Sequence, residues 1–99
     1  MTLHHVDFSP TKIAEFCRRN HIRKFSLFGS IVREDFGPDS DVDVLVEFEP
    51  GQTPGFAFFG LQEELSDLLG RKVDLVDPIL TAPHIRQAIL EKGIVLHEP

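Results

Sequence analysis

The stretch Leu27-Phe28-Gly29-Ser30-Ile31-Val32-Arg33, followed by Asp41-Val42-Asp43, decides the fold of this chain. The first part is apolar up to a glycine and a hydroxyl, which predicts a short buried strand that turns into a helix. The second part opens a run that alternates acidic and apolar residues, which is typical of a strand with one buried face. Ten residues separate the hydroxyl from the first carboxylate. The spacing therefore predicts two strand ends that carry polar groups, joined by a loop.

The two carboxylates of the second stretch lie two positions apart, so they point to the same side of a strand. Such a pair, Asp41 and Asp43, is unfavourable unless a cation lies between them, and Mg²⁺ prefers carboxylate and phosphate oxygens. Asp74 has the same polarity in the next predicted strand, between Val73 and Leu75. If the two strands are neighbours, three carboxylates hold two ions, as in-line phosphoryl transfer requires.

The glycine-hydroxyl corner supplies the other half of the predicted site. Gly29 lets a phosphate approach the backbone closely, and the helix after it offers free N–H groups and the positive end of its dipole. Ser30 can donate its hydroxyl to a phosphate oxygen. Arg33, about one turn further along, either contacts a triphosphate or pairs with a nearby acid. These residues predict a site for a nucleoside triphosphate and its divalent metal ions.

The rest of the chain predicts helices that alternate with strands. We expect helices over residues 10–20, 57–69 and from 81 to about 92, a short helix from 29 to about 33, and strands over 25–28, 41–48, 72–76 and 94–96. Three phenylalanines, Phe56, Phe58 and Phe59, are predicted to be core residues, with a partner-docking or base-contacting surface as the alternative. The fold class is α/β (α+β), a small mixed sheet of three to four strands flanked by helices, in a single domain over residues 1–99.

Composition limits the possible functions. The chain has 99 residues, of which 41% are hydrophobic and 26% charged, as in soluble globular proteins. No apolar run could cross a bilayer, no secretory signal is recognisable, and the single cysteine, Cys17, is expected to be a packing residue, so we expect a cytoplasmic protein with no membrane partner. The net charge of −6 argues against direct non-specific nucleic-acid binding. A small-molecule substrate or a protein acceptor fits better.

From Phe25 to Leu96 the chain resembles the DNA polymerase beta-like nucleotidyltransferases, in particular the minimal nucleotidyltransferases known as MNT or MntA-like antitoxins. The resemblance rests on the opening stretch, on Pro38-Asp39-Ser40-Asp41-Val42-Asp43-Val44-Leu45-Val46 and on Val73-Asp74-Leu75-Val76. Two positions depart from it, because relatives often have alanine in place of Val32 and glycine in place of Glu34. Both changes affect the short helix after Ser30 and leave the acids intact.

The resemblance implies a role for each candidate residue. Asp41, Asp43 and Asp74 would bind Mg²⁺, with Asp74 also placed to activate the acceptor hydroxyl, while Gly29 and Ser30 would hold the triphosphate. The implied partner is a helical HEPN-domain toxin, usually a ribonuclease. The antitoxin either transfers AMP from ATP to a tyrosine of that toxin or masks the toxin by binding it.

We therefore predict a Mg²⁺-dependent nucleotidyltransferase that moves AMP from ATP onto a protein hydroxyl and releases pyrophosphate. The chain is too small to grip a primer and template, which argues against a polymerase. Two alternatives remain open: a non-catalytic antitoxin that neutralises its toxin by binding, and a small-molecule nucleotidyltransferase subunit. Base preference, the identity of the acceptor and the oligomeric state have no signal in the sequence.

Overall fold

A four-stranded sheet with helices on both faces forms the centre of the protein. The structure, a computed structural model, describes residues 1–77 and 83–99. In chain order its elements are β1 (Thr2–Leu3), β2 (Val6–Asp7), α1 (Pro10–Arg19), β3 (Ile22–Phe28), a 3₁₀ turn (Gly29–Val32), β4 (Val42–Phe48), a 3₁₀ turn (Gly55–Ala57), α2 (Phe58–Leu69), β5 (Val73–Val76), α3 (Pro83–Lys92) and β6 (Ile94–His97).

The strand order in this sheet is β5-β4-β3-β6. β3 is antiparallel to both β4 and β6, whereas β4 and β5 are parallel and are joined through α2. A parallel pair needs a crossover connection of this kind, because its strands cannot be joined by a tight turn. The predicted fold class, a mixed sheet of three to four strands flanked by helices, is confirmed, and the strand over 94–96 is present.

One face of the sheet forms the hydrophobic core with α1 and α2. Alternate residues of β4 are fully buried there, and the core also contains residues from the neighbouring strands and helices: Val42, Val44, Val46, Phe25, Leu27, Val73, Leu75, Ile13, Phe16, Leu61 and Leu65. Each such side chain contributes roughly 1.5–3 kcal/mol on full burial. The opposite face of β4 carries Asp43, Leu45 and Glu47, so the acids are displayed on the side away from this core.

The first helix, α1, begins and ends close to the positions that the sequence predicts. The Ser9 hydroxyl accepts a hydrogen bond from the Lys12 N–H at 3.4 Å, and the Asn20 side chain donates to the Phe16 carbonyl at 2.9 Å. Cys17 lies in the core on the same helix, and burial raises the pKa of its thiol to about 12. The thiol therefore stays protonated at neutral pH, and its predicted packing role is confirmed.

The starts of β3 and β4 differ from the prediction. β3 begins at Ile22 rather than at residue 25, because its charged start pairs with the end of β4, Lys24 opposite Glu47. Such tertiary pairing overrides local strand propensity. β4 begins at Val42, whose N–H donates to the Lys72 carbonyl at 2.9 Å, so Asp41 lies just before the strand. The first two residues of the predicted last helix, 81 and 82, lie outside the described residues.

Two further features were not predicted correctly. The N-terminal residues form a small hairpin, β1 with β2, that the sequence did not indicate. Of the three phenylalanines predicted to be core residues, Phe56 is 95% exposed and Phe59 is 69% exposed, whereas Phe58 is half-buried. The prediction is wrong for Phe56, which belongs to the 3₁₀ turn, and for Phe59, which lies on the outer side of α2. In the described part of the chain, no helix has the length and apolar character that crossing a membrane requires.

Candidate active site

The ends of three strands lie side by side at one end of the sheet and bring Gly29, Asp43 and Asp74 together. In the parallel pair, Asp43 of β4 lies opposite Asp74 of β5, and in the antiparallel pair it lies opposite Phe28 of β3. Directly paired residues of neighbouring strands point to the same face. Asp43 is therefore the central member of the site, with Asp74 on one side and the end of β3 on the other.

Gly29 follows β3 directly and lies against the Asp43 carboxylate. Its φ of +72° is in the left-handed region, where glycine is strongly preferred. A Cβ atom at this position would overlap Asp43 Oδ2 and lie 3.1 Å from its Cγ. Glycine is thus required here by the backbone conformation and also by the close approach of the acid. The two halves of the sequence motif form one continuous site.

Ser30 lies in the 3₁₀ turn that follows Gly29, and its carbonyl accepts the Arg33 N–H at 3.0 Å. The sequence predicted a short helix here, with a dipole that would favour phosphate. The predicted short helix is present as a four-residue 3₁₀ helix, whose dipole is small because it has only about one turn. What remains for an anion is the glycine backbone and the half-buried Ser30 residue itself.

The three predicted acids differ in their environment. Asp43 is half-buried, and burial together with the negative charges of Asp74 and Asp41 raises its pKa, against a smaller opposing effect of the Arg33 cation. Asp74 is exposed, and Asp41 is half-buried, with its Oδ2 3.9 Å from the Lys72 ammonium. The charges of Asp41 and Asp74 thus repel that of Asp43, and a bound cation would relieve this repulsion.

A metal site is not preformed at this edge of the sheet. Within residues 1–77 and 83–99, no group of three histidine, cysteine or acidic side chains is arranged to hold a metal ion. Asp41 lies just before β4, and its carboxylate is turned towards the Lys72 ammonium. The donor set still fits Mg²⁺, which takes carboxylate oxygens and substrate phosphates. The convergence of all three acids on metal ions stays a prediction.

Arg33 shows one of its two predicted roles. Its Nε lies 3.0 Å from Asp35 Oδ1, and this hydrogen bond is the main cause of the lowered pKa of Asp35. Both side chains are exposed, so the ion pair is weak and easily exchanged. The guanidinium remains free to turn towards a phosphate when one is present.

A cavity of about 260 Å³ lies beside Gly29, between the 3₁₀ turn and α3. Its lining includes three basic side chains, Arg33, His84 and Lys92, and no acidic one. The rest of the lining is mostly apolar, so the charges of Arg33 and Lys92 would attract an anion rather than a cation to this position. Sequence reasoning missed His84 and Lys92, because neither belongs to a local motif and only the packing of α3 brings them to the corner.

Comparison with known families agrees with this geometry. The family model described as polymerase beta, nucleotidyltransferase matches residues 11–99, which include the corner and all three acids. The chain belongs to this nucleotidyltransferase family. The resemblance to MntA-like proteins is supported by two relatives.

The first relative of this nucleotidyltransferase, from Methanocaldococcus jannaschii, is named as a candidate protein adenylyltransferase and is 43% identical over 72 residues, which are 71% of each chain. The second, the protein adenylyltransferase MntA of Thermococcus cleftensis, is 46% identical over 63 residues, which are 63% of this chain and 62% of the relative.

Solved structures of similar chains extend the comparison. A toxin–antitoxin crystal structure with AMP-PNP contains a chain that is 26% identical, with a TM-score of 0.77 and coverage of 93% of this chain and 75% of the other. A second structure contains a tri-AMPylated Shewanella oneidensis HEPN toxin in complex with an MNT antitoxin. That match is 25% identical, with a TM-score of 0.69 and coverage of 91% and 70%.

Proposed function

We propose that this nucleotidyltransferase transfers AMP from ATP to a hydroxyl group of a protein partner and releases pyrophosphate. The observation that carries the proposal is the contact of Asp43 with Gly29 on one side and its pairing with Asp74 on the other. A nucleotide bound at the glycine corner would have its phosphates beside the acids. The names of the two relatives, both for protein adenylyltransferases, support a protein as the acceptor.

The proposed partner is a HEPN-type toxin, and the proposed acceptor is a tyrosine hydroxyl of that toxin. The support is the similar structure of an AMPylated HEPN toxin with an MNT antitoxin. In this proposal the chain is the antitoxin of a cytoplasmic pair, and modification of the toxin neutralises it.

The proposed roles follow the donor chemistry of these residues and the family to which the chain belongs. Asp41, Asp43 and Asp74 would hold two Mg²⁺ ions, which neutralise the phosphate charge when bound. Gly29 lets the phosphates approach the backbone, and the Ser30 hydroxyl donates to a phosphate oxygen. Most of the catalysis is then positioning and charge stabilisation.

The transfer itself needs one proton acceptor. The acceptor oxygen forms a bond to the α-phosphorus, the bond from that phosphorus to the bridging oxygen breaks, and pyrophosphate leaves with the electron pair. The proton of the hydroxyl passes to Asp74, whose exposed carboxylate can be reached from solvent by a partner protein.

The cavity beside Gly29 offers a place for the β- and γ-phosphates of ATP, next to Arg33 and Lys92. Lys92→Gln is expected to weaken ATP and pyrophosphate binding about tenfold, since a hydrogen bond to a charged group contributes roughly 1.5 kcal/mol. AMP binding should not change. Isothermal titration with ATP, pyrophosphate and AMP measures this, with Lys12→Gln on α1 as a matched control. Equal weakening of AMP binding would instead assign the cavity to the nucleoside.

The reaction is tested with ATP labelled on the α-phosphate, Mg²⁺ and a purified HEPN toxin as the acceptor. We expect label on the toxin, and no label on it when the γ-phosphate carries the label instead. Chelation of Mg²⁺ before ATP is added should prevent labelling of the toxin and leave the toxin active. Mass spectrometry of the labelled toxin then identifies the modified residue, which we expect to be a tyrosine.

The same experiment separates the two alternative functions. Full neutralisation of the toxin by Asp41→Asn/Asp43→Asn, without label transfer, would show that the chain acts by masking. Label that appears only on a small hydroxylated compound would show a small-molecule nucleotidyltransferase subunit. Either result would overturn the proposed protein adenylylation.

A further inference from the structure

The loop of residues 33–40, here called the linking loop, connects the glycine corner to the acids. Its last part forms a closed turn, in which the Ser40 N–H donates to the Gly37 carbonyl at 3.1 Å. The Gly37 N–H donates in return to the Ser40 hydroxyl at 3.0 Å. Because Asp41 lies just before β4, the position of this turn sets the position of the first acid.

Arg71, two residues before β5, holds this turn. One terminal nitrogen of its guanidinium lies 2.7 Å from the Ser40 carbonyl oxygen, 3.1 Å from that of Gly37 and 3.3 Å from that of Pro38. The side chain is half-buried, and backbone carbonyls are its acceptors. These hydrogen bonds therefore depend on the path of the loop backbone and not on the identity of the loop side chains.

The aromatic ring of Phe36 adds a second contact between Arg71 and the linking loop. The Arg71 guanidinium carbon lies 4.6 Å from the centre of this ring, within the range of a cation–π interaction. The ring also packs against His4, with centroids 5.1 Å apart, and a ring nitrogen of His4 is hydrogen-bonded to the Arg33 carbonyl at 2.7 Å. The loop is thus held near its start by the hairpin and near its end by Arg71.

We infer that Arg71 is a positioning residue for the transfer site. It lies three positions before Asp74 and holds the turn that ends at Asp41, so it fixes the first acid relative to the third. Arginine suits this task because one guanidinium nitrogen donates to the loop carbonyls while the planar face of the group stacks on an aromatic ring, which lysine does not reproduce. Misplacement of a reacting group by about 1 Å can reduce the rate about a hundredfold. The inference rests on the proposed function.

The test compares Arg71→Ala and Arg71→Lys with Arg23→Ala, an exposed arginine of β3, in assays of AMP transfer over a range of Mg²⁺ concentrations. Arg71→Ala is expected to lower kcat about ten- to a hundredfold and to raise the Mg²⁺ concentration for half-maximal rate about tenfold. Arg71→Lys should recover only part of both, because the cation remains while the planar face that stacks on Phe36 is lost. Arg23→Ala should match the wild type.

Two outcomes would overturn the inference: a wild-type Mg²⁺ dependence in Arg71→Ala, or a rate loss equal to its unfolded fraction measured by circular dichroism. Phe36→Leu and Phe36→Tyr provide a second pair of variants, of which only the leucine should raise the Mg²⁺ requirement. Amide hydrogen exchange at Ser40 gives a readout without activity and should accelerate in Arg71→Ala. If the wild type shows no transfer but this exchange still accelerates, the proposed function fails while the loop anchor stands.

Discussion

Replacing Gly29 with alanine is expected to lower AMP transfer at least about a hundredfold, since the new methyl group displaces the central acid of the site. The φ of +72° alone costs an alanine about 1–2 kcal/mol. The Cβ atom would in addition overlap the Asp43 carboxylate. Asp43 must then move away from Asp74 and from any phosphate at the corner, so both stability and activity fall.

Gly51 provides a matched control for this substitution. Its φ is +78°, close to that of Gly29, but a Cβ atom there would meet nothing within 4 Å. Gly51→Ala should therefore show the backbone cost alone, with normal AMP transfer. Urea unfolding and the transfer assay, run on both variants, separate strain from displacement of the acid. Equal stability losses and equal activities of the two variants would contradict the assigned contact.

Much of the fold was predictable because its signals are local. The alternation in 41–48 defines a strand with one buried face. Ser9 caps the start of α1 and Gly70 caps the end of α2, as their chemistry requires. The corner, the paired acids and Asp74 were recognisable for the same reason. Their adjacency followed from one assumption, that the strand of Asp74 lies beside that of Asp43, and the parallel register confirms it.

The remaining features depend on contacts between distant parts of the chain. Arg71 precedes a predicted strand and looks like any exposed cation until the turn at Gly37 is placed beneath it. His84 and Lys92 approach Gly29 only when α3 packs against the turn. The exposed Phe56 shows the opposite error, since residue type predicts burial on average while the local path of the chain decides it.

Asp43→Asn is expected to separate stability from activity. Asparagine has the same shape but no charge, so AMP transfer should fall by about a thousandfold, which corresponds to roughly 4 kcal/mol of lost transition-state stabilisation. Stability should change in the opposite direction. Burial and the neighbouring acids raise the pKa of Asp43 in the folded protein, so its ionised form destabilises the fold at neutral pH.

The pH dependence gives this prediction its sign. As the pH falls through the raised folded pKa, the folded protein takes up the proton before the unfolded chain does, and the cost of ionised Asp43 disappears. In a metal chelator, the Tm of Asp43→Asn should thus exceed that of the wild type at pH 7, and the difference should shrink in acid. Mg²⁺ should raise the Tm of the wild type only, because it binds the charged acids.

Asp7→Asn, at an exposed position in β2, is the control and should show neither effect. A lower Tm for Asp43→Asn at pH 7, together with an unchanged response to Mg²⁺, would mean that Asp43 is a structural residue and that the ions bind elsewhere.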